Sequence, residues 1–267
     1  MDASQDDPRR VLQNQHGEKR VDVRLDDPSR YDALRAILVK KPFLRRLYRE
    51  TYQKFAECLS RCPREGMALE IGSGAGFVKE IVPGMTTSDV LPYPGVDRVL
   101  DASAMPFEDG SLRGIFMLNV FHHLPDSEKF LKEAERCLKP GARIFMVDQH
   151  LGWLSFWILK CGGHEPFAPE AKEWRFESTG PLSGANGALA WIVFRRDLEK
   201  LGTVCPAMRL ERYEPHTPLR YWISGGLKFW CLTPGWSFGM ATWVDRALSR
   251  MHPDLGSFVD IELVKRA

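Results

Sequence analysis

Residues 68–76 read ALEIGSGAG, an apolar run from Ala68 that closes on the acid Glu70 and Ile71 and passes directly into Gly72, Gly74 and Gly76. A run of this kind suits a strand buried on both faces. Glycines directly after it let the chain turn tightly and bring main-chain N–H groups against a ligand, with a helix expected to follow. The spacing G-x-G-x-G differs from the G-x-G-x-x-G of dinucleotide-binding folds and lacks the G-K-[ST] ending of a nucleotide P-loop. Taken alone, the segment fits equally a strand-to-helix turn that binds nothing.

The flanking sequence repeats the alternation. MALEI (67–71) is a predicted strand and GFVKEIV (76–82) a predicted helix, followed by strands over TTSDV (86–90), DRVLD (97–101) and GIFMLNV (114–120). SEKFLKEAERCL (127–138) reads as a helix, and ARIFMVD (142–148) as a fifth strand after the Pro140-Gly141 turn. Apolar strands alternating with helices imply a parallel sheet covered on both faces, with ligands at the carboxyl ends of the strands. Asp89 closes the second strand, where a carboxylate could accept from both hydroxyls of a ribose. Asp101 closes the third, in DASAMPF, where it could accept from an exocyclic adenine amine.

With NVFHHLPD after the fourth strand and CLKPGARIFMVD around the fifth, the segment from about Gly66 to Asp148 resembles the class I S-adenosylmethionine-dependent methyltransferases, in particular their type 11 small-molecule branch. The resemblance implies an α/β fold: a doubly wound, Rossmann-like methyltransferase sheet with N-terminal helices and an aromatic-rich C-terminal insertion. It also implies S-adenosylmethionine as cofactor. Glu70, Gly72, Ser73, Gly74 and Gly76 would surround the methionine part, Asp89 would hold the ribose, Asp101 and Ala102 the adenine, and Asn119 would lie beside the sulfonium. Asp97 is a competing sugar or adenine contact, ranked lower because it falls at a strand entrance.

Histidine takes a proton near neutral pH, so His122 or His123, just past the fourth strand, is the leading general base. The alternative is structural, one imidazole packing under the cofactor and the other capping the next helix. Asp148, His150, His164 and Glu165 form a second cluster. They either bind a divalent ion or, in the preferred reading without a metal, supply His164 and Glu165 as pocket groups beside the histidine pair. PLSGANGALAWIVF (181–194) reads as a Gly/Asn turn leading into a strand, in which Asn186, before Gly187, is a turn former or a substrate amide.

The 267 residues carry 37 Lys plus Arg against 35 Asp plus Glu, a formal charge of +2 that gives no general reason to expect a nucleic-acid partner. No NPPY-like or Pro-Cys motif follows the fourth strand, which also argues against nucleic-acid methylation. The 6 cysteines are scattered without a CxxC pair, as free thiols in a reducing compartment would be. The acidic start MDASQDD differs from a secretory signal, and no apolar run approaches the roughly 20 residues of a spanning helix. A cytoplasmic location is expected. The basic amphipathic stretch from Arg35 to Arg49 offers a peripheral contact with the inner face of a membrane, or a solvated helix packed on the domain.

The expected organisation is a leader and helical lid over 1–65, with two helices broken at Pro42, a cofactor-binding core over 66–150, and a substrate-binding insertion that completes the sheet over 151–267. All 8 tryptophans fall in that last part, from Trp153 to Trp243, either as core or as walls of an apolar pocket or membrane contact. The function expected is methyl transfer to a small or amphiphilic acceptor, most readily a hydroxyl of a lipid-linked sugar, polyketide or quinone-like compound. Its rivals are N-methylation of an amine such as a phospholipid head group, and a noncatalytic cofactor-binding partner protein.

Overall fold

The computed structural model describes residues 27–162, 166–178, 180 and 184–266. His164 and Glu165 lie outside the described residues. Seven strands form one sheet: β1 (Met67–Ile71), β2 (Thr86–Asp89), β3 (Arg98–Val99), β4 (Leu112–Leu118), β5 (Leu138–Gln149), β6 (Met208–His216) and β7 (Phe258–Lys265). Their order is β3-β2-β1-β4-β5-β7-β6, parallel from β3 to β5, with β7 running antiparallel between β5 and β6. The order reverses direction at β1 and β4, and such a switch point opens a crevice at the strands' carboxyl ends.

Alternation along the central strands divides the core. Ile115, Met117, Ile144 and Met146 face one side, where α3 (Ser127–Cys137) packs Phe130, Leu131 and Ala134 against them. Phe116, Phe145 and Val147 face the other side and meet Tyr52, Phe55 and Cys58 of α2 (Pro42–Ser60). Both helices have local reasons to start where they do. Asp126 accepts from the Lys129 N–H at 2.9 Å as the cap of α3, while Pro42 stands at the first turn of α2 and ends α1 (Arg30–Lys40).

Two expectations are corrected. GFVKEIV forms only a single 3₁₀ turn, Val78–Glu80, because Pro83-Gly84 follows at once and the face that a helix would cover belongs to α2, whose Tyr52 and Phe55 share a cluster with Phe77 and Val78. The ALAWIVF stretch, expected as a strand, is helical: α5 (Leu189–Trp191) continues as a π turn over Ile192–Arg196. Ala188, Leu189, Ile192 and Val193 are buried together, and a short apolar run is ambiguous between strand and helix by periodicity alone. The remaining helices are α4 (Trp153–Gly162), α6 (Leu198–Val204), α7 (Arg220–Ile223) and α8 (Phe238–Met251).

Candidate functional site

The glycine turn after β1 is held from both sides. Gly72 and Gly74 have φ of 69° and 50°, conformations that disfavour a Cβ. A Cβ on Gly72 would come within 2.4 Å of Val120, and one on Gly76 within 2.4 Å of the Tyr52 hydroxyl, whereas one on Gly74 would meet open space. From above, Arg35 donates to the Ala75 and Gly76 carbonyls, and Ala75 packs among Ile37, Leu38 and Leu44, so α1 and α2 close over the turn.

Two acceptors at this crevice are buried without a hydrogen-bond partner among the described residues: Glu70 Oε2 and Asn119 Oδ1. Burial pushes the Glu70 carboxyl up to about 7 against the opposing pull of the Ser73 hydroxyl. Asn119, just past β4, adopts φ 55°. Asn tolerates the left-handed region better than most residues, and strain of this kind concentrates at sites of function. Asp89 accepts from the Gly74 N–H at 2.9 Å and the Leu91 N–H at 3.0 Å, which leaves each oxygen a further lone pair. Burial raises its pKa. Asp101 is exposed and, among the described residues, its side chain accepts only the Ser103 N–H through Oδ1, while Ala102 is buried beside it. Asp97 is already engaged by Lys79 at 2.6 Å and by the Thr87 amide and hydroxyl.

The histidines divide. His122 is 1% exposed, its Nδ1 lies 2.6 Å from Asp148 Oδ1, and its Nε2 lies 3.3 Å from Gln149 Nε2. Asp148 also accepts the Phe121 and Gln149 amides, so this carboxylate ties the turn after β4 to the end of β5. His123 packs on His122 with ring centroids 4.2 Å apart and planes tilted by 40°, and has Nδ1 3.1 Å from the Gly184 carbonyl. Asn186 is engaged as well: it bonds both main-chain groups of Ala168 and its Oδ1 accepts the Ala188 amide just before α5.

His150 is brought elsewhere, to a cavity of about 900 Å³ that also reaches Asn119, Tyr48, Trp191, Tyr213 and Tyr221. Its Nδ1 lies 2.9 Å from the Tyr213 hydroxyl, its Nε2 is buried without a hydrogen bond among the described residues, and Asp254 Oδ1 stands 3.8 Å from that nitrogen. Burial lowers its pKa to about 4, so the ring is neutral at physiological pH. The sequence placed His150 only in a metal cluster. Tyr213, its partner from β6, carried no signal that tied the two together. Among the described residues no group of three or more His, Cys, Asp or Glu side chains is arranged to hold a metal ion.

The basic stretch from Arg35 to Arg49 is engaged largely within the molecule. Lys41 is buried and donates to the Ser224 and Gly226 carbonyls at 2.9 Å. Arg45 pairs with Glu80 at 2.6 Å and lies over Phe77, and Arg46 reaches the Gly235 carbonyl. Among the described residues no helix is long and apolar enough to cross a membrane.

Residues 69–146 match a family described as a methyltransferase domain. Tocopherol O-methyltransferase of Arabidopsis thaliana is 42% identical over 63 residues, 24% of this chain and 18% of that protein. The 2-methyl-6-phytyl-1,4-hydroquinone methyltransferase of Synechocystis is 30% identical over 126 residues, 41% of this chain and 37% of the relative. The 27-O-demethylrifamycin SV methyltransferase of Amycolatopsis mediterranei is 36% identical over 56 residues, 20% of this chain and 21% of its own length. The chain thus spans well under half of each of these curated relatives. Among solved structures, geranyl diphosphate C-methyltransferase of Streptomyces coelicolor, in complex with Mg2+, geranyl diphosphate and S-adenosyl-L-homocysteine, superposes with a TM-score of 0.50 at 15% identity, covering 84% of this chain and 80% of that one. That likeness is one of fold.

Proposed function

We propose that this chain, whose residues 69–146 match a methyltransferase domain, is a class I S-adenosylmethionine-dependent methyltransferase that moves a methyl group onto a hydroxyl of an amphiphilic acceptor held in the cavity beside Asn119. Asn119 carries the reading, since one strained residue with an orphaned amide oxygen borders both the glycine turn's crevice and a cavity large enough for a small organic ligand.

The residues present fit the cofactor. Glu70 Oε2 and Asn119 Oδ1 are unpartnered acceptors suited to a ligand with an ammonium and a sulfonium, and the space over Gly74 is open. Glu70, Gly72, Ser73, Gly74 and Gly76 would hold the methionine part, Asp89 the ribose, and Asp101 with Ala102 the adenine. When bound, S-adenosylmethionine supplies a methyl group already activated for transfer. The chain's task is then to align the acceptor oxygen, exclude water and take up a proton.

His150 is the proton acceptor we assign. In the tautomer that donates Nδ1–H to Tyr213, Nε2 keeps a lone pair that no hydrogen bond among the described residues uses, on a residue that lines the cavity, and Asp254 would steady the imidazolium. A ring whose pKa is about 4 is a weak base, which favours an acidic phenol or quinol hydroxyl over an alkyl one. That preference agrees with the tocopherol and hydroquinone named in two relatives, and a polyketide or lipid-linked acceptor of similar acidity fits too. His122 and His123 are proposed as positioning residues for the turn that carries Asn119. His164 and Glu165 are proposed as acceptor contacts on the sequence alone. A second reading, N-methylation of an amine such as a phospholipid head group, is favoured by Glu50, Glu214 and Asp254 standing on the cavity wall with Trp191, Tyr213 and Tyr221.

The test is transfer of labelled methyl from S-adenosylmethionine to matched quinol and amine acceptors, by the full chain and by His150→Gln. Quinol turnover is expected to fall by about 100-fold in the variant with donor affinity unchanged. Equal turnover in the variant would remove His150 as base, preferential amine methylation would select the second reading, and donor binding without transfer to either class would favour a noncatalytic cofactor-binding protein.

A further inference from the structure

The outer face of α8 is built the wrong way round for a helix that ends at water. At helical spacing Met240, Trp243 and Met251 share one side, with Trp236 just before the helix. Trp236 is 81% exposed, Met240 64%, Trp243 71% and Met251 75%. The inward side carries the ions instead. Asp245 is buried and accepts from the Leu219 amide and from Arg220 Nε at 2.8 Å, and Arg220 reaches on to Glu50 at 2.8 Å and to the Thr242 hydroxyl. Helices of soluble domains place these two classes of residue the other way about.

The apolar face continues beyond the helix. Trp230 and Leu232, on the segment before α8, are exposed as well. That segment is anchored to the junction of α1 and α2 through Lys41 on the Ser224 and Gly226 carbonyls and Arg46 on the Gly235 carbonyl. At the far end of α8, Trp153 stacks on His252 with ring centroids 4.5 Å apart, which brings α4 and its exposed Trp157 to the same edge. Large apolar side chains left exposed together on one helix face and the segment before it mark an interaction site.

Charge chooses the occupant. Between Leu219 and His252 the only acid is Asp245, which is buried, while Arg246 and Arg250 are exposed beside the apolar stripe and Lys40 is exposed at the α1–α2 junction. Exposed tryptophans on a helix whose exposed charges are all cationic match the interface of an anionic bilayer, where rings settle at head-group depth and each cation gains from the surface potential. The cavity adjoins the same helix, whose Arg246, Ser249 and Arg250 help to line it.

We propose that the Trp236–Met240–Trp243 face of α8, with Trp230 and Leu232, docks the protein on an anionic lipid surface, and that an amphiphilic acceptor enters the cavity from the lipid side past Arg246 and Arg250. The second clause deepens the acceptor reading above, whereas the docking itself stands apart from methyl transfer.

The experiment is flotation of the full chain with vesicles of phosphatidylcholine plus phosphatidylglycerol and with phosphatidylcholine alone, comparing the wild-type chain with the double variant Trp236→Ser, Trp243→Ser. Wild-type protein is expected to float with the anionic vesicles. The double variant should lose at least about tenfold in partition, the loss of about 1.4 kcal/mol. Its thermal unfolding midpoint and its calorimetric affinity for S-adenosylmethionine should not change, because neither residue lines the cavity. Absence of wild-type binding, or undiminished binding by the double variant, would overturn the proposal. So would a wild-type dimer that the double variant abolishes in sedimentation equilibrium without vesicle binding, since the face would then join two copies. Donor calorimetry read alongside separates a failed docking surface from a failed methyltransferase reading.

Discussion

Glu70 and Asp148 are both acids near the carboxyl ends of parallel strands, β1 and β5, on either side of β4, and both are buried. Asp148 is finished by the protein, with His122 Nδ1 at 2.6 Å, the Gln149 amide at 2.7 Å and the Phe121 amide at 2.8 Å. Glu70 keeps one oxygen without a partner among the described residues, and burial drives its pKa to about 7. Two buried carboxylates at the same end of the sheet thus do opposite things. The satisfied one fixes the turn that presents Asn119, and the unsatisfied one raises the free energy of the empty site by an amount that a cationic ligand can recover.

The sharpest way to break this contrast is Asp148→Ala. It strands the His122 ring and two main-chain amides in the core, and is expected to destabilise the fold by about 3–5 kcal/mol, read from urea midpoints. A loss under about 1 kcal/mol would mean that Asp148 does not hold this turn together. Glu70→Gln should act in the other direction. A carboxyl raised from 4.5 to about 7 binds more protons folded than unfolded between those values, so its favourable share is present below pH 4.5 and lost as pH rises through 7. At pH 8 the Gln variant should therefore be more stable by up to about 3 kcal/mol, with little difference at pH 4, while donor affinity falls by about tenfold or more. Wild-type binding near pH 6.5 should also release protons, seen by calorimetry in buffers of different ionisation enthalpy, and the variant should release none from this site.

His150 supplies the counterpart on the cavity side. Its pKa falls from 6.5 to about 4, so the unfolded chain binds the proton first and the fold loses stability as pH drops across that window. Between about pH 4.5 and 6.5 the two groups oppose each other, each contributing a slope of up to about 1.4 kcal/mol per pH unit. Relative to wild type, His150→Gln should gain stability toward acid through this range and Glu70→Gln should lose it. Parallel thermal profiles for all three proteins would show that neither group is as buried in solution as the structure places it.

Much of this was legible in the sequence because it is local. Apolar runs marked the strands, ALEIGSGAG marked the turn, and Pro42 marked the break between α1 and α2. The helix after Gly76 was misread because only the packed α2 shows that its place is taken, and the ALAWIVF strand was misread because burial on all sides erases periodicity. The partnership of His122 with Asp148 depends on β4 and β5 being neighbours, and that of His150 with Tyr213 on β6 entering the sheet beyond β7. On α8, the sequence leaves the stripe of Trp236, Met240 and Trp243 open between core, pocket wall and membrane contact. It is turned outward only because Arg220, Asp245 and Glu50 pair on the inner side, from three separate elements.

The smallest expected effect tests the contrast inside the glycine turn itself. Gly72 and Gly74 both have positive φ, so alanine at either adds strain of about 1–2 kcal/mol. Only at Gly72 does the new methyl also strike protein, 2.4 Å from Val120, which should make Gly72→Ala the more destabilising change. At Gly74 the methyl enters open space, where the proposed methionine part would lie. Gly74→Ala should consequently lower the unfolding midpoint only slightly while weakening S-adenosylmethionine binding disproportionately, a separation visible by running denaturation and calorimetry on the same preparation. Were stability and affinity instead to fall together in Gly74→Ala as they do in Gly72→Ala, the space above Gly74 would not be where the methionine part is held, and the unpartnered oxygen of Glu70 would need another explanation.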